Sequence, residues 1–379
     1  MIRLTIPSIE QDDLDAVRDA LASGYLVQGP RVAAFEAALA SSIGVPHAVA
    51  LTNCTAALQL GLMACDVRAG DLVLVTAYSW ISTANAIELC GAQPVFVDID
   101  PGTFNMCPKA LEQRLGELRK VGEHVRRLRA VLPVHTFGQV ADMDAILSLA
   151  TSAGLPVIED AACAIGATWG GKQAGTMGTL GCFSFHPRKA ITTGEGGAVT
   201  THDPAIANHL RALRNHGLDP TAPSSDFIMP GFNTRMTEMQ GALGVTQLKK
   251  LERIVAARRK LAAKYDALFT DSGVVIPPAV PAKSAPVYQS YVVQLPKEAA
   301  PSRAKVLARM KERGIETTIG TWHMPLTTYF RTKYGFKEGD FPVTDDVFAR
   351  SVTLPLYESM TDADVEQVAA ALVETVNAL

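Results

Sequence analysis

From residue 47 onward, short apolar runs alternate with stretches whose apolar positions recur at helical spacing. Residues 47–51, 71–76, 94–99, 129–134 and 155–159 read as strands, and 55–65, 82–89 and 141–153 as helices between them. A further apolar run, Cys182-Phe-Ser-Phe185, reads as a buried strand, and another short apolar run follows Gly197. Apolar strands separated by helices of about ten residues predict a mainly parallel sheet covered on both faces. The expected fold class is α/β, doubly wound.

Both ends of the chain depart from that pattern. Ser8-Ile-Glu-Gln11 has the form of a capping box, with Leu14, Val17 and Leu21 at helical spacing and Gly24 as a stop. Gly29-Pro30 opens a second helix with Val32, Phe35 and Leu39 on one face. Thr237-Glu-Met-Gln240 is another capping box and starts a long helix to about residue 269. Lys249, Lys250, Arg253, Arg258, Arg259 and Lys260 read as its solvated face, open to an acidic partner or a sugar diphosphate. Residues 277–286 form a proline-rich connector, 288–295 a strand, 302–313 a helix, and the last helix starts near Thr361. Two domains are expected: a large one over 1–249 and a smaller α+β one over 250–379.

With 35 basic and 38 acidic residues the net charge is −3, which gives no electrostatic footprint for nucleic acid or an anionic membrane. The first residues lack the apolar core of a signal peptide. No span of the chain reads as a membrane helix. The six cysteines have no CxxC spacing, so neither a zinc site nor a disulfide framework is indicated. Reduced thiols in a cytoplasmic protein are expected.

Doubly wound sheets bind ligands outside the carboxyl ends of their strands, so those ends carry the candidate chemistry. After 47–51 comes Thr52-Asn-Cys-Thr55 at a helix start, suited to a phosphate or simply to capping. After 71–76 come Tyr78 and Trp80, which could lie against a planar ring or pack in a core. After 155–159 comes Asp160, suited to a pyridinium nitrogen or to a helix cap. After 182–185 comes Lys189, ahead of Thr192-Thr-Gly-Glu-Gly-Gly197. A lysine in a partly desolvated cleft can lose its proton near neutral pH and form a Schiff base with an aldehyde cofactor, or it is an ordinary solvated lysine on a turn. Each feature alone is weak; the ordered set matches what pyridoxal phosphate requires.

The chain resembles the DegT/DnrJ/EryC1/StrS family of fold-type-I pyridoxal-phosphate enzymes, over nearly its whole length. The resemblance rests on Gly29-Pro30 with Phe35-Glu36, Asn53 to Leu58, Pro94-Val-Phe-Val-Asp98, Pro133-Val-His-Thr-Phe-Gly138 and Val157-Ile-Glu-Asp-Ala-Ala162. It rests further on Ser184-Phe-His-Pro-Arg-Lys189, Gly194-Glu-Gly-Gly197 and Gly231-Phe-Asn-Thr-Arg-Met236. It implies an aspartate-aminotransferase-like fold with a mainly parallel seven-stranded sheet, and a sugar aminotransferase using pyridoxal 5′-phosphate.

In that likeness Lys189 bonds to the cofactor and shuttles the proton, Asp160 pairs with the ring nitrogen, and Trp80 stacks on the ring. Cys54, Thr55 and Ser184 hold the phosphate. Asn233 reaches the phosphate of the neighbouring subunit's cofactor, which implies a homodimer with shared sites. Cys54 stands where the family has glycine, Cys163 where it has a Gln or His at the phenolic oxygen, and Thr234 where it has tyrosine. Gly320-Thr-Trp-His-Met-Pro-Leu326 is longer than its counterpart, and His323 within it is expected to contact substrate. The implied reaction moves an amino group from L-glutamate to a nucleotide-linked keto sugar, for surface polysaccharide or secondary-metabolite synthesis. A sugar dehydratase and an inosose aminotransferase share the fold, as would a non-catalytic sensor. Lys189 argues against the dehydratase, and Lys189 with Asp160 against the sensor.

Overall fold

The computed structural model describes residues 1–379. Seven strands build the central sheet: β1 (His47–Leu51), β2 (Leu72–Thr76), β3 (Gln93–Val97), β4 (Leu128–Leu132), β5 (Ile158–Asp160), β6 (Leu180–Ser184) and β7 (Gly197–Thr201). Their order is β1-β7-β6-β5-β4-β2-β3, with β5 joined to β4 through bridges at Val131–Val157 and Val134–Asp160. Only β7 runs against its neighbours. The sheet is the mainly parallel, seven-stranded one expected.

Successive side chains leave a strand on opposite faces, and here both faces are apolar. Leu72 and Leu74 enter one core with Phe35, Leu39 and Ile146. Val73 and Val75 enter the other with Leu58, Ile87 and Leu210. Burial on both sides explains why these strands read as continuous apolar runs rather than alternations. A third core surrounds the antiparallel strands Tyr291–Gln294, Ser351–Leu354 and Thr318–Ile319, against Tyr265, Phe269, Val365 and Leu372. Ile2 completes that core from the other end of the chain.

Several local expectations change. The first helix is Gln11–Ala22, and its capping box is Glu10 with Asp13, because Ser8 instead donates to Glu358 at 2.5 Å. The long helix expected from Thr237 breaks into Glu238–Leu248 and Leu251–Ser272. Leu251, Ile254 and Val255 pack in the large core, while Leu261, Tyr265 and Phe269 pack in the third.

The basic face there is not wholly solvated. Lys250 is buried, and its Nζ donates to Asp12 Oδ1 at 2.7 Å and Asp13 Oδ2 at 2.5 Å. Arg258 is also buried, giving its Nη1 hydrogens to the carbonyls of Tyr288, Gln289 and Leu356. Burial pulls the Arg258 guanidinium down to about 10. Buried cations need such fixed acceptors.

Candidate active site

Asp160 ends β5 and is 3% exposed. Its backbone is held to the adjacent segment on both sides: its N–H donates to Pro133 O at 2.9 Å, and its carbonyl accepts from His135 N–H at 3.0 Å. Thr83 Oγ1 donates to Asp160 Oδ2 at 2.7 Å, and the Ala162 N–H donates to Oδ1 at 3.2 Å. Ser79 Oγ lies 3.0 Å from Thr83 Oγ1 and extends the chain of hydroxyls. Burial pushes the Asp160 carboxyl above its ordinary range, against these hydrogen bonds and the nearby Lys189 charge.

The preceding side chain, Glu159, leaves the strand on the other face. It accepts from the N–H groups of Gly175, Met177 and Gly178 at 2.8, 2.7 and 2.6 Å, and faces His135 Nε2 at 2.8 Å. His135 Nδ1 accepts from Ala141 N–H at 3.2 Å, so the ring proton sits on Nε2 and points at Glu159. This fully buried pair ties the loop before β6 to the strand that presents Asp160.

Lys189 lies in the connection from β6 to β7. That connection is closed by Phe185 N–H to Gly196 O and Thr193 N–H to Phe185 O, both 2.9 Å. Lys189 Nζ donates to Cys163 Sγ at 3.0 Å. Cys163 sits in the turn following Asp160. Burial alone pushes the ammonium down, but Cys163, Cys54 and Asp160 outweigh it and hold Lys189 above its usual value. Desolvation, which offers a route to proton loss, is thus outweighed in the cofactor-free site.

At the other side of the cluster, the helix Cys54–Ala64 starts directly after β1, with Asn53 Oδ1 accepting from Ala56 N–H at 2.9 Å. First-turn N–H groups have no acceptor within their own helix, which leaves those of Cys54 and Thr55 for a ligand. Gly197 packs against this turn: a Cβ there would lie 2.4 Å from Asn53 C and 2.6 Å from Cys54 N. Burial pushes the Cys54 thiol well up, aided by Asp160 and opposed by Lys189. Ser184 is buried at the end of β6. Lys189, Asp160, Cys54, Cys163, Thr55 and Ser184 thus come from the ends of three strands and the start of one helix.

Three other candidates stand differently. Trp80 occupies the turn between Tyr78–Ser79 and the helix Ser82–Leu89, with its indole 60% exposed. Asn233 is exposed, on a segment whose Thr234 carbonyl accepts from Thr52 N–H at 2.9 Å. His323, expected to meet substrate, is instead buried. Its Nε2 faces Asp345 Oδ1 at 2.8 Å, and the ring packs against Phe341 and Phe348. The lengthened segment places it in the antiparallel pairing of Trp322–His323 with Tyr78–Ser79, where it serves packing. Thr83 and Ser79 were not singled out in the sequence. Their place beyond the carboxyl end of β2 was the available signal.

The residues present fit pyridoxal 5′-phosphate. An open helix N-terminus suits the phosphate, a buried carboxylate held by two donors suits the ring nitrogen, and a half-buried amine reaches the turn that follows that carboxylate.

The sequence model of the DegT/DnrJ/EryC1/StrS aminotransferase family matches residues 7–373. The spore coat polysaccharide biosynthesis protein SpsC of Bacillus subtilis is 36% identical over 97% of this chain and 95% of its own. GDP-perosamine synthase of Caulobacter vibrioides is 36% identical over 98% of this chain and 97% of its own. Spr1654 of Streptococcus pneumoniae, named as a sugar aminotransferase, superposes with a TM-score of 0.93 at 25% identity in its PMP form, over the whole of both chains. Its PLP form superposes with a TM-score of 0.91. On sequence and fold together, the chain belongs to the DegT/DnrJ/EryC1/StrS aminotransferase family.

Proposed function

We propose that this chain transfers an amino group from L-glutamate to the keto carbon of a nucleotide-linked keto sugar, with pyridoxal 5′-phosphate as cofactor. The observation that carries this reading is that Lys189 Nζ reaches Cys163 Sγ, 3.0 Å away in the turn that follows Asp160, beside an open helix N-terminus. When bound, the cofactor supplies a ring that delocalises the electron pair left after proton removal.

The chain's own groups supply the rest. Lys189 would hold the cofactor through its Nζ, and the same amine would serve as the proton carrier. Asp160 holds the proton on the ring nitrogen, and Thr83 with Ala162 N–H fixes the carboxylate that does so. The N–H groups of Cys54 and Thr55, with the Ser184 hydroxyl, bind the phosphate. Trp80 would stack on the ring, and Cys163 would stand at its phenolic oxygen.

The sugar class is supported by the relatives, one named for spore coat polysaccharide biosynthesis and one for making GDP-perosamine. A homodimer in which Asn233 reaches the other subunit's phosphate is supported by two groups of exposed apolar side chains, Tyr25, Leu26 and Val27 on one segment and Phe227, Ile228 and Phe232 on that of Asn233. No helix is long and apolar enough to cross a membrane. Six unpaired cysteines suit the cytoplasm.

The test is a panel of nucleotide-linked keto sugars incubated with the loaded enzyme and L-glutamate, read by product mass. An amino sugar and 2-oxoglutarate in equal amounts are expected. Conversion of free cyclitol ketones alone would replace the nucleotide sugar by an inosose.

A further inference from the structure

Cys163 and Lys189 approach from separate segments 26 positions apart and meet with Nζ 3.0 Å from Sγ. We propose that the two side chains form a reversible sulfur–nitrogen cross-link when a peroxide reaches the cofactor-free site. The bond occupies the amine that would hold the cofactor, so oxidation closes the enzyme to loading.

The step balances with one peroxide. The Cys163 sulfur attacks the O–O bond, giving a sulfenic acid and water. Lys189 Nζ then attacks that sulfur. The N–S bond forms, the S–O bond breaks, and hydroxide leaves as water with a proton from nitrogen. Sulfur gives up two electrons, and the peroxide oxygens take them. Sulfenic acids condense in this way with thiols or with nitrogen.

Two features favour nitrogen here. The Lys189 amine already lies against the sulfur, with Nζ 3.0 Å from Sγ, so once its ammonium proton passes to solvent it is the nucleophile in place when the sulfenic acid forms. The competing thiol, Cys54, is pushed well above its ordinary value by burial. It stays protonated and attacks poorly. Thiols in solution reverse the cross-link by attack on sulfur, which returns the amine.

The experiment treats the full-length chain, with and without pyridoxal 5′-phosphate, with hydrogen peroxide and maps the digested peptides by mass. The cofactor-free protein is expected to yield the Cys163 and Lys189 peptides joined, lighter than their sum by two hydrogens. Dithiothreitol should separate them. The joined pair should persist in Cys54→Ser and vanish in Cys163→Ser. A Cys54–Cys163 disulfide, or sulfinic acid on Cys163 with Lys189 unmodified, would overturn the proposal. The wild-type map decides this even where a variant fails to fold. Protection by the cofactor rests on the function proposed above. An equal yield of cross-link in loaded protein would keep the cross-link and reject that role for Lys189.

Discussion

Thr83 Oγ1 donates to Asp160 Oδ2 across 2.7 Å, so a helix that follows one strand fixes the carboxylate at the end of another. Both groups are buried. A hydrogen bond to a charged group contributes roughly 1.5–3 kcal/mol. Thr83→Val should therefore lower turnover roughly 10- to 100-fold. Without this donor, burial raises the Asp160 carboxyl further, so the acid limb of the kcat/KM profile should move to higher pH. Thr83→Ser should restore both. An unchanged pH profile in the valine variant would show that Thr83 only packs.

Gly197→Ala tests the phosphate end. The added methyl would overlap the backbone of Asn53 and Cys54 and push the helix start away. Overpacking of this kind costs about 1–3 kcal/mol. The expected result is a fall of roughly tenfold or more in cofactor affinity, measured by absorbance titration. Wild-type affinity would contradict the assignment of this helix end to the phosphate.

The sheet was legible because apolar runs announce strands buried on both faces, and strand ends are where ligands gather. That rule brought Lys189, Asp160 and the turn at Cys54 and Thr55 forward as candidates, and the family resemblance supplied their roles. What was not legible depends on partners distant in sequence. Lys250 sits on the polar side of a helix by periodicity, yet Asp12 and Asp13, more than 230 positions earlier, draw it inside. The same holds for Arg258, whose Nη1 reaches three carbonyls, and for His323, turned inward onto Asp345. Hydrophobic periodicity reports which face is covered, never by what.

Lys250→Met should be strongly destabilising. Asp13 is 1% exposed and would be left as an uncompensated buried carboxylate. Breaking a buried pair in this way costs about 3–5 kcal/mol, read by chemical denaturation near neutral pH. Burial opposes its ionisation, yet Lys250 and neighbouring donors hold Asp13 below its ordinary value. The stability that it contributes is thus present above the ordinary carboxylate range and lost as pH falls through its depressed value. The double variant Asp13→Asn with Lys250→Met should recover part of the loss. A single variant within 1 kcal/mol of wild type, about the scale of a surface pair, would refute the buried-pair reading.

His323 predicts acid sensitivity. Burial pushes its imidazole below the ordinary value of 6.5, and Asp345 only partly restores it. Its Nδ1 is buried without a partner, so a second proton there would have no acceptor. The unfolded chain then binds more protons than the folded one below pH 6.5, and stability falls with falling pH in that window. His323→Gln should flatten the slope of unfolding free energy against pH between about 5 and 6.5. A slope unchanged by the substitution would assign the acid sensitivity elsewhere, His186 being the other histidine with a depressed value.

The central claim is that Lys189, and no other amine, carries the cofactor opposite Asp160. Borohydride reduction of the loaded protein, followed by peptide mapping, tests it directly, because reduction fixes the pyridoxyl group to whichever amine holds it. The expected result is one pyridoxyl group per chain, on Lys189, and none in Lys189→Ala. A pyridoxyl group on another lysine, or none in the wild type, would contradict it.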